Sequence, residues 1–277
     1  MPKKIAVLYH NDLDGFGAAW AAWKKFGGEA NYFPVDYGKP ASKGLKNKDI
    51  YMLDFCFPRK ELKSLLKNNK KLIIIDHHIS RKEDIKISTD FIWDVNHSSC
   101  VLSWNYFHSG KKTPKLLKYV ESIDLWNLKM PFTREITIIL KTKPNDFNLW
   151  DKIAVGLQNK RFFFNFLKEG KIMTNLIDKA VKEIVLTSEE VIFEKKKAAA
   201  VNSPIFCSEI GHYLIKKSKR PIAIIWSANS GNIRVHLRSA KKTDVSLLAK
   251  KFGGGGHRAA AGFYLKTNQK FPWKTIK

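Results

Sequence analysis

Lys71-Leu72-Ile73-Ile74-Ile75-Asp76-His77-His78 decides how this chain is read. Leu72 and the three isoleucines after it predict a strand buried on both faces, as in a parallel sheet. One carboxylate and two imidazoles follow without a break. Inside a strand such groups would be costly to bury unpaired. At the carboxyl end of a parallel strand they open into the crevice where α/β folds place their ligands. An isolated Asp-His-His also fits a polar strand tip with a capping Asp, so the surrounding sequence has to decide.

Outward from this run, short apolar segments alternate with helical ones. Ile5–Tyr9, Ala30–Val35, Asp49–Phe55, Lys71–Asp76 and Asp90–Trp93 read as strands. Gly15–Phe26 and Glu61–Asn68 read as helices between them. Strand and helix taking turns predicts βαβ units and a parallel sheet with helices on both faces. From Ser98 to about Lys182 the pattern is helical, including Ser98–Phe107, Pro114–Ile123 and Leu149–Phe166. Asn175–Lys197 reads as one or two polar helices ending in the charged run Glu194-Lys195-Lys196-Lys197. After it, Ile222–Trp226 and Ile233–Leu237 read as strands around a turn at Ser227–Gly231, and Thr243–Phe252 as a helix opened by Asp244. The expected organisation is an α/β chain with a catalytic domain over 1–180, a helical linker over 181–198 and a smaller domain over 199–277, its sheet mainly antiparallel.

The 277 residues carry 50 basic and 25 acidic side chains, a formal charge of +25. Such an excess favours anionic partners, nucleotides or nucleic acid first. Only eight of the basic residues are Arg, and lysines are spread over nearly every segment, so the charge says nothing about the length of the partner. No apolar stretch is long enough to cross a membrane. The amino terminus lacks a signal-peptide pattern, and Cys56, Cys100 and Cys207 show neither disulfide nor metal-site spacing. The expectation is a soluble cytoplasmic protein without a membrane partner, as monomer or homodimer.

Three strand ends and one helix carry the chemistry. The first strand runs into His10-Asn11-Asp12-Leu13-Asp14-Gly15, where His10, Asp12 and Asp14 alternate and can share one side of an extended segment. The third strand ends on Asp54, the fourth on Asp76-His77-His78, and Asp124 stands among apolar residues downstream. Each has an ordinary explanation: Asp12 or Asp14 as a helix cap, Asp54 before a turn at Pro58, Asp124 paired with a lysine, His10 as a structural histidine. All of them at one sheet edge is a stronger pattern than any alone. Convergent carboxylates raise one another's pKa, and divalent cations remove that conflict. Carboxylates with imidazoles suit Mn²⁺, with Mg²⁺, Fe²⁺ and Zn²⁺ as alternatives.

Taken in order, His10, Asp12, Asp14, Asp54, Asp76-His77-His78 and Asp124 resemble the motifs of the DHH phosphoesterase superfamily. That family includes RecJ-like exonucleases, nanoRNases acting on short oligoribonucleotides and pAp, cyclic-dinucleotide phosphodiesterases and family II pyrophosphatases. The resemblance implies two divalent ions, Mn²⁺ first. His10, Asp12 and Asp54 would hold one; Asp14, Asp54, His77 and Asp124 would hold the other, with Asp54 bridging. His78 would lie at the substrate phosphate, and Asp76 would orient the histidines.

The second informative stretch is Gly253-Gly254-Gly255-Gly256-His257-Arg258-Ala259-Ala260-Ala261-Gly262. Consecutive glycines let the backbone approach a ligand and present amides to an anion. A flexible closing loop would use them equally well; His257, Arg258 and the strand-end Arg238 shift the balance toward phosphate. The run resembles the DHH-associated substrate-binding domain, with Arg238, Gly254, Gly255, Gly256, His257 and Arg258 as substrate contacts. The implied activity is two-metal hydrolysis of phosphoesters in nucleotides or short single-stranded nucleic acid, nanoRNase-like. RecJ-like exonuclease and cyclic-dinucleotide phosphodiesterase are the alternatives, and a non-catalytic nucleic-acid-binding protein of the same fold is a third.

Overall fold

A computed structural model describes residues 3–36, 44–229, 231–240 and 243–276. The chain forms two compact units, 1–174 and 175–277. In the first, β1 (Ile5–His10), α1 (Leu13–Phe26), β2 (Ala30–Val35), β3 (Asp49–Leu53), α2 (Arg59–Asn68), β4 (Lys71–Asp76), α3 (Lys82–Ile85) and β5 (Asp90–Trp93) alternate as expected. Five parallel strands stand in the order β2-β1-β3-β4-β5. Their side chains divide by parity. Val7, Tyr9, Ile73 and Ile75 enter one core with Phe16 and Trp20 of α1, while Ala6, Leu8, Leu72 and Ile74 enter another with Leu62 and Leu65 of α2. Both faces are therefore covered, which explains the unbroken apolar run of β4.

The chain leaves β1 in one direction to form β2 and returns on the other side of it to form β3. The strand order reverses there, and the carboxyl ends of β1 and β3 diverge into a crevice. Five helices follow: α4 (Ser99–Phe107), α5 (Lys115–Asp124), α6 (Thr133–Thr142), α7 (Phe147–Gly156) and α8 (Lys160–Ile184). The helix expected over Leu149–Phe166 is broken at residues 157–159, where the Asn159 side chain accepts from the Phe162 amide at 3.1 Å and opens a new helix.

The division between the units falls within α8. The second unit contains β6 (Glu189–Phe193), β7 (Lys196–Asn202), α9 (Cys207–Ser218), β8 (Ile222–Asn229), β9 (Asn232–Ser239), α10 (Val245–Lys251), β10 (Gly255–His257), β11 (Ala260–Lys266) and β12 (Trp273–Thr275). Its seven strands run β10-β11-β9-β8-β7-β6-β12, and every pair is antiparallel except β7 with β8. The stretch read as the end of a helical linker is instead the hairpin β6–β7. Its turn residues Glu194 and Lys195 both have positive φ, 48° and 62°. Hairpins normally place Asn-Gly there, so a Glu-Lys turn before three alanines gave helix-like signals. The second hairpin is tighter than expected: β8 and β9 continue to Asn229 and from Asn232. Ser230, within the expected turn, lies outside the described residues.

Ile74 is fully buried at the centre of β4. Ile74→Ala should lower the unfolding free energy by about 2–5 kcal/mol. Leu247→Ala, at an exposed position of α10, should change it by less than about 0.5 kcal/mol. Urea titration of both variants beside the wild type measures the difference.

Candidate metal centre and substrate-binding unit

Each carboxylate in the crevice is set by a local device. Asp12 is the N-cap of α1: one oxygen accepts from the Gly15 amide at 2.9 Å, the other from His10 Nδ1 at 2.8 Å. The same carboxylate therefore caps α1 and holds His10. Gly15 has to be glycine, because a Cβ would run into the His10 carbonyl. Asp14, one residue into α1, is buried and accepts from the amides of Ser99 (2.7 Å) and Cys100 (3.0 Å) at the start of α4. Asp54 follows β3 with φ at 66° while its amide donates to the Ile75 carbonyl of β4 at 2.9 Å. That left-handed backbone is one that Asp tolerates better than most side chains, and such conformations gather at functional sites. Asp76 accepts from the His77 amide (2.7 Å), the His78 amide (3.2 Å) and His78 Nδ1 (2.7 Å), all through one oxygen.

These devices bring the sequence-derived residues together. His10, Asp12 and Asp54 form one group whose ligand atoms lie within 4.8 Å of one another; Asp14, His77 and Asp124 form a second, and Asp54, Asp76 and His78 a third. His77 Nε2 lies 3.4 Å from Asp54, 3.5 Å from Asp124 and 3.7 Å from Asp14, and His10 Nδ1 lies 3.6 Å from Asp54.

The electrostatics are strained without a cation. Burial raises the Asp54 carboxyl well above its usual value, and the charges of Asp14 and Asp12 raise it further. Asp124 is raised the same way, by burial and then by Asp14. Desolvation works to raise Asp12, but the His10 hydrogen bond and charge and the Gly15 amide outweigh it and lower the group to about 2. Burial works to lower His10, but Asp12 and Asp54 raise it to about 10. Asp54 Oδ1 and Asp124 Oδ2 are buried and accept no hydrogen bond. Orphaned oxygens among crowded carboxylates and imidazoles are a donor set that suits a hard or borderline divalent cation.

Sequence reasoning passed over Glu121. Its carboxylate accepts from the Ser98 amide (3.1 Å) and His97 Nδ1 (3.0 Å), and it stands one turn before Asp124 on α5. It thereby ties α5 to the α4 start whose amides hold Asp14. Trp93 also escaped notice; its indole N–H donates to the His78 carbonyl at 3.2 Å. The one available signal was the Ser98-Ser99 pair opening a helix.

In the second unit, His257 pairs with Ala260 and Ala260 with Arg238, so the three share one cross-strand row. The Arg238 guanidinium donates to Ser208 Oγ of α9 at 2.9 Å and to the Leu237 carbonyl at 3.0 Å. Arg258 is exposed in the turn between β10 and β11. The glycine run is no open loop. The amides of Gly253 and Gly254 donate to the Lys250 and Ala249 carbonyls at the end of α10. Gly255 and Gly256 belong to β10, and a Cβ at 254 or 256 would collide with β11. Close packing of β10 against β11 is one thing these glycines supply.

Comparison with known proteins agrees with this architecture. Residues 178–272 match the family model of the DHHA1 domain. An uncharacterized protein of Acanthamoeba polyphaga mimivirus is 28% identical over 286 residues, covering 92% of this chain and 66% of that protein. The chain thus spans about two thirds of the length of that curated relative. Among solved structures, a DHH-domain member of the s1p family of ribosomal proteins superposes with a TM-score of 0.58 at 13% identity, covering 99% of this chain and 83% of that one. An exopolyphosphatase-related protein from Bacteroides fragilis gives 0.55 at 13% identity, over 97% and 88%. RecJ in complex with Mn²⁺ from Thermus thermophilus gives 0.55 at 14% identity, over 95% of this chain and 49% of RecJ. Residues 178–272 of the second unit match the DHHA1 domain, and the chain shares its overall fold with these solved structures.

His10 supplies a pH test in metal-free protein. Its folded pKa is raised from 6.5 to about 10, so its stabilising contribution is complete below pH 6.5 and is lost as pH rises toward 10. With EDTA present, the stability difference between wild type and His10→Asn should be largest near pH 5.5 and shrink steadily to pH 10, as read by urea unfolding at each pH.

Proposed function

We propose that the protein is a divalent-metal-dependent phosphoesterase acting on nucleotides and short single-stranded oligonucleotides, with Mn²⁺ the preferred ion. The observation that carries this reading is a pair of buried oxygens, Asp54 Oδ1 and Asp124 Oδ2, which accept no hydrogen bond and crowd around His77 Nε2 at the sheet's switch point. His10, Asp12 and Asp54 would hold one ion, and Asp14, Asp54, His77 and Asp124 the other. Bound there, the ions would neutralise phosphate oxygens and lower the pKa of an attacking water. Asp76 holds His78 at Nδ1 and fixes its ring, and we assign His78 to the scissile phosphate. Arg238 and His257, in one row of the second sheet, are assigned to the nucleotide. The names of the superposing structures, RecJ and an exopolyphosphatase-related protein, support phosphoester hydrolysis as the reaction class. Among the described residues no helix is long and apolar enough to cross a membrane, and the three free cysteines support a reducing, cytoplasmic setting.

A RecJ-like exonuclease is the second reading, favoured by the charge of +25. Incubating the protein with Mn²⁺ and 5′-labelled di- to decanucleotides of RNA and DNA, pAp and cyclic dinucleotides separates the two. Preference for di- and trinucleotides supports the first; rapid loss of long DNA supports the second; no hydrolysis of any member overturns both. Asp54→Ala should lose essentially all turnover, and metal-dependent hydrolysis by that variant would sink the site assignment. Glu121→Ala should weaken Mn²⁺ binding by about 10–100-fold, as expected for a residue that orients ligands, measured by titration calorimetry with Glu121→Asp recovering part of the loss.

A further inference from the structure

The second sheet has one face in the core and one only partly covered. On β9, Ile233, Val235 and Leu237 enter the core with Val245 and Ala249 of α10, so Arg234, His236 and Arg238 lie on the opposite face. On β11, Ala261, Phe263 and Leu265 enter the same core and leave Ala260, Gly262 and Tyr264 opposite. Helix α9 packs on this second face as far as Arg238 and Ile225, whose side chains a Cβ at Gly211 would meet.

Register arranges the remainder in three rows. The first holds Arg238, Ala260 and His257; the second His236, Gly262 and Gly255; the third Arg234 and Tyr264. Directly paired residues stand close enough for their side chains to act together. The middle row is a floor: two of its three residues have no side chain. Arg238 and Arg234, at either side of it, are four residues apart on one strand, about 13 Å along the sheet. Tyr264 is 58% exposed beside Arg234. Burial lowers His236 to about 3, and the charges of Arg234 and Arg238 add to that, so its ring is neutral at physiological pH.

We infer that Arg234, Tyr264 and His236 form a second nucleotide subsite, which extends recognition from one phosphate to a ligand with phosphates on both sides of a base. Arg234 takes the second phosphate, Tyr264 offers a ring on which a base stacks, and the glycine floor admits a flat group edge-on to the His236 imidazole. Guanidinium and phenol on adjacent strands are the combination that single-stranded nucleic acid uses, charge for the backbone and a π-face for the base. The subsite deepens the nucleotide reading above and rests on it for the identity of the ligand.

Binding without turnover tests it, so the outcome does not depend on hydrolysis. Isothermal titration of the full chain with pA, pApA and pApApA in EDTA should show at least a tenfold gain in affinity from the mononucleotide to the trinucleotide. Arg234→Ala and Tyr264→Leu, both at exposed positions, should cut that gain at least threefold, and Arg234→Lys and Tyr264→Phe should lose less. Arg234→Ala should also flatten the salt dependence by about 0.7 in log–log slope, the amount for one single-strand phosphate contact, whereas Tyr264→Leu should leave it unchanged. A length gain within threefold of wild type in both variants, or no gain in the wild type, overturns the subsite. Absence of hydrolysis with an intact length gain overturns the catalytic reading alone.

Discussion

Repulsion among crowded carboxylates is the constraint around which the first unit is arranged. Asp12, Asp14, Asp54 and Asp124 converge with His10 and His77 where the strand order reverses, and burial alone would push several of them toward the neutral form. The chain tolerates the cluster by fixing most members through groups outside it. Asp12 is held by the Gly15 amide, Asp14 by two amides of α4 and Asp76 by two amides and an imidazole. Asp54 is placed by its own left-handed backbone and a bond to Ile75. A site so held needs little rearrangement to accept a cation, which is the property expected of a preorganised centre.

The topology explains why these residues and no others meet. A parallel sheet covered on both faces leaves only its strand ends for polar work, and the divergence of β1 and β3 opens a space there. A residue that would only cap a helix elsewhere has a second role here, since the carboxylate that closes the first turn of α1 also faces His10. Even the glycine at position 15 follows, because its absent Cβ is what allows α1 to start directly against the end of β1.

How much of this the sequence disclosed depends on whether a residue acts through its type or through its place. Asp76-His77-His78 after four apolar residues is legible because burial and chemistry change abruptly at one bond. Glu121 is not, because it looks like any acidic residue on a lysine-rich helix until its carboxylate is seen at the Ser98 amide. The β6–β7 hairpin was hidden by its turn, where Glu194 and Lys195 adopt a backbone usually left to Asn and Gly. The glycine run was legible as a necessity, and the structure adds a packing reason: the amides of Gly253 and Gly254 close α10, and the missing Cβ atoms let β10 lie against β11. Register, which puts Arg234 opposite Tyr264, is invisible without knowing that β11 pairs with β9.

The same distinction bears on the basic charge. Lysine is spread through the chain and carries most of the +25, so it describes the surface as a whole. Arginine is scarce, yet three of the eight, Arg234, Arg238 and Arg258, fall within 25 residues on β9 and the β10–β11 turn. Arg220, by contrast, is paired with Glu190, a surface ion pair of the ordinary kind. Where a planar fork matters for gripping phosphate, lysine is a poor substitute. Two arginines four residues apart on β9 therefore favour the proposed nucleotide site more pointedly than the net charge does.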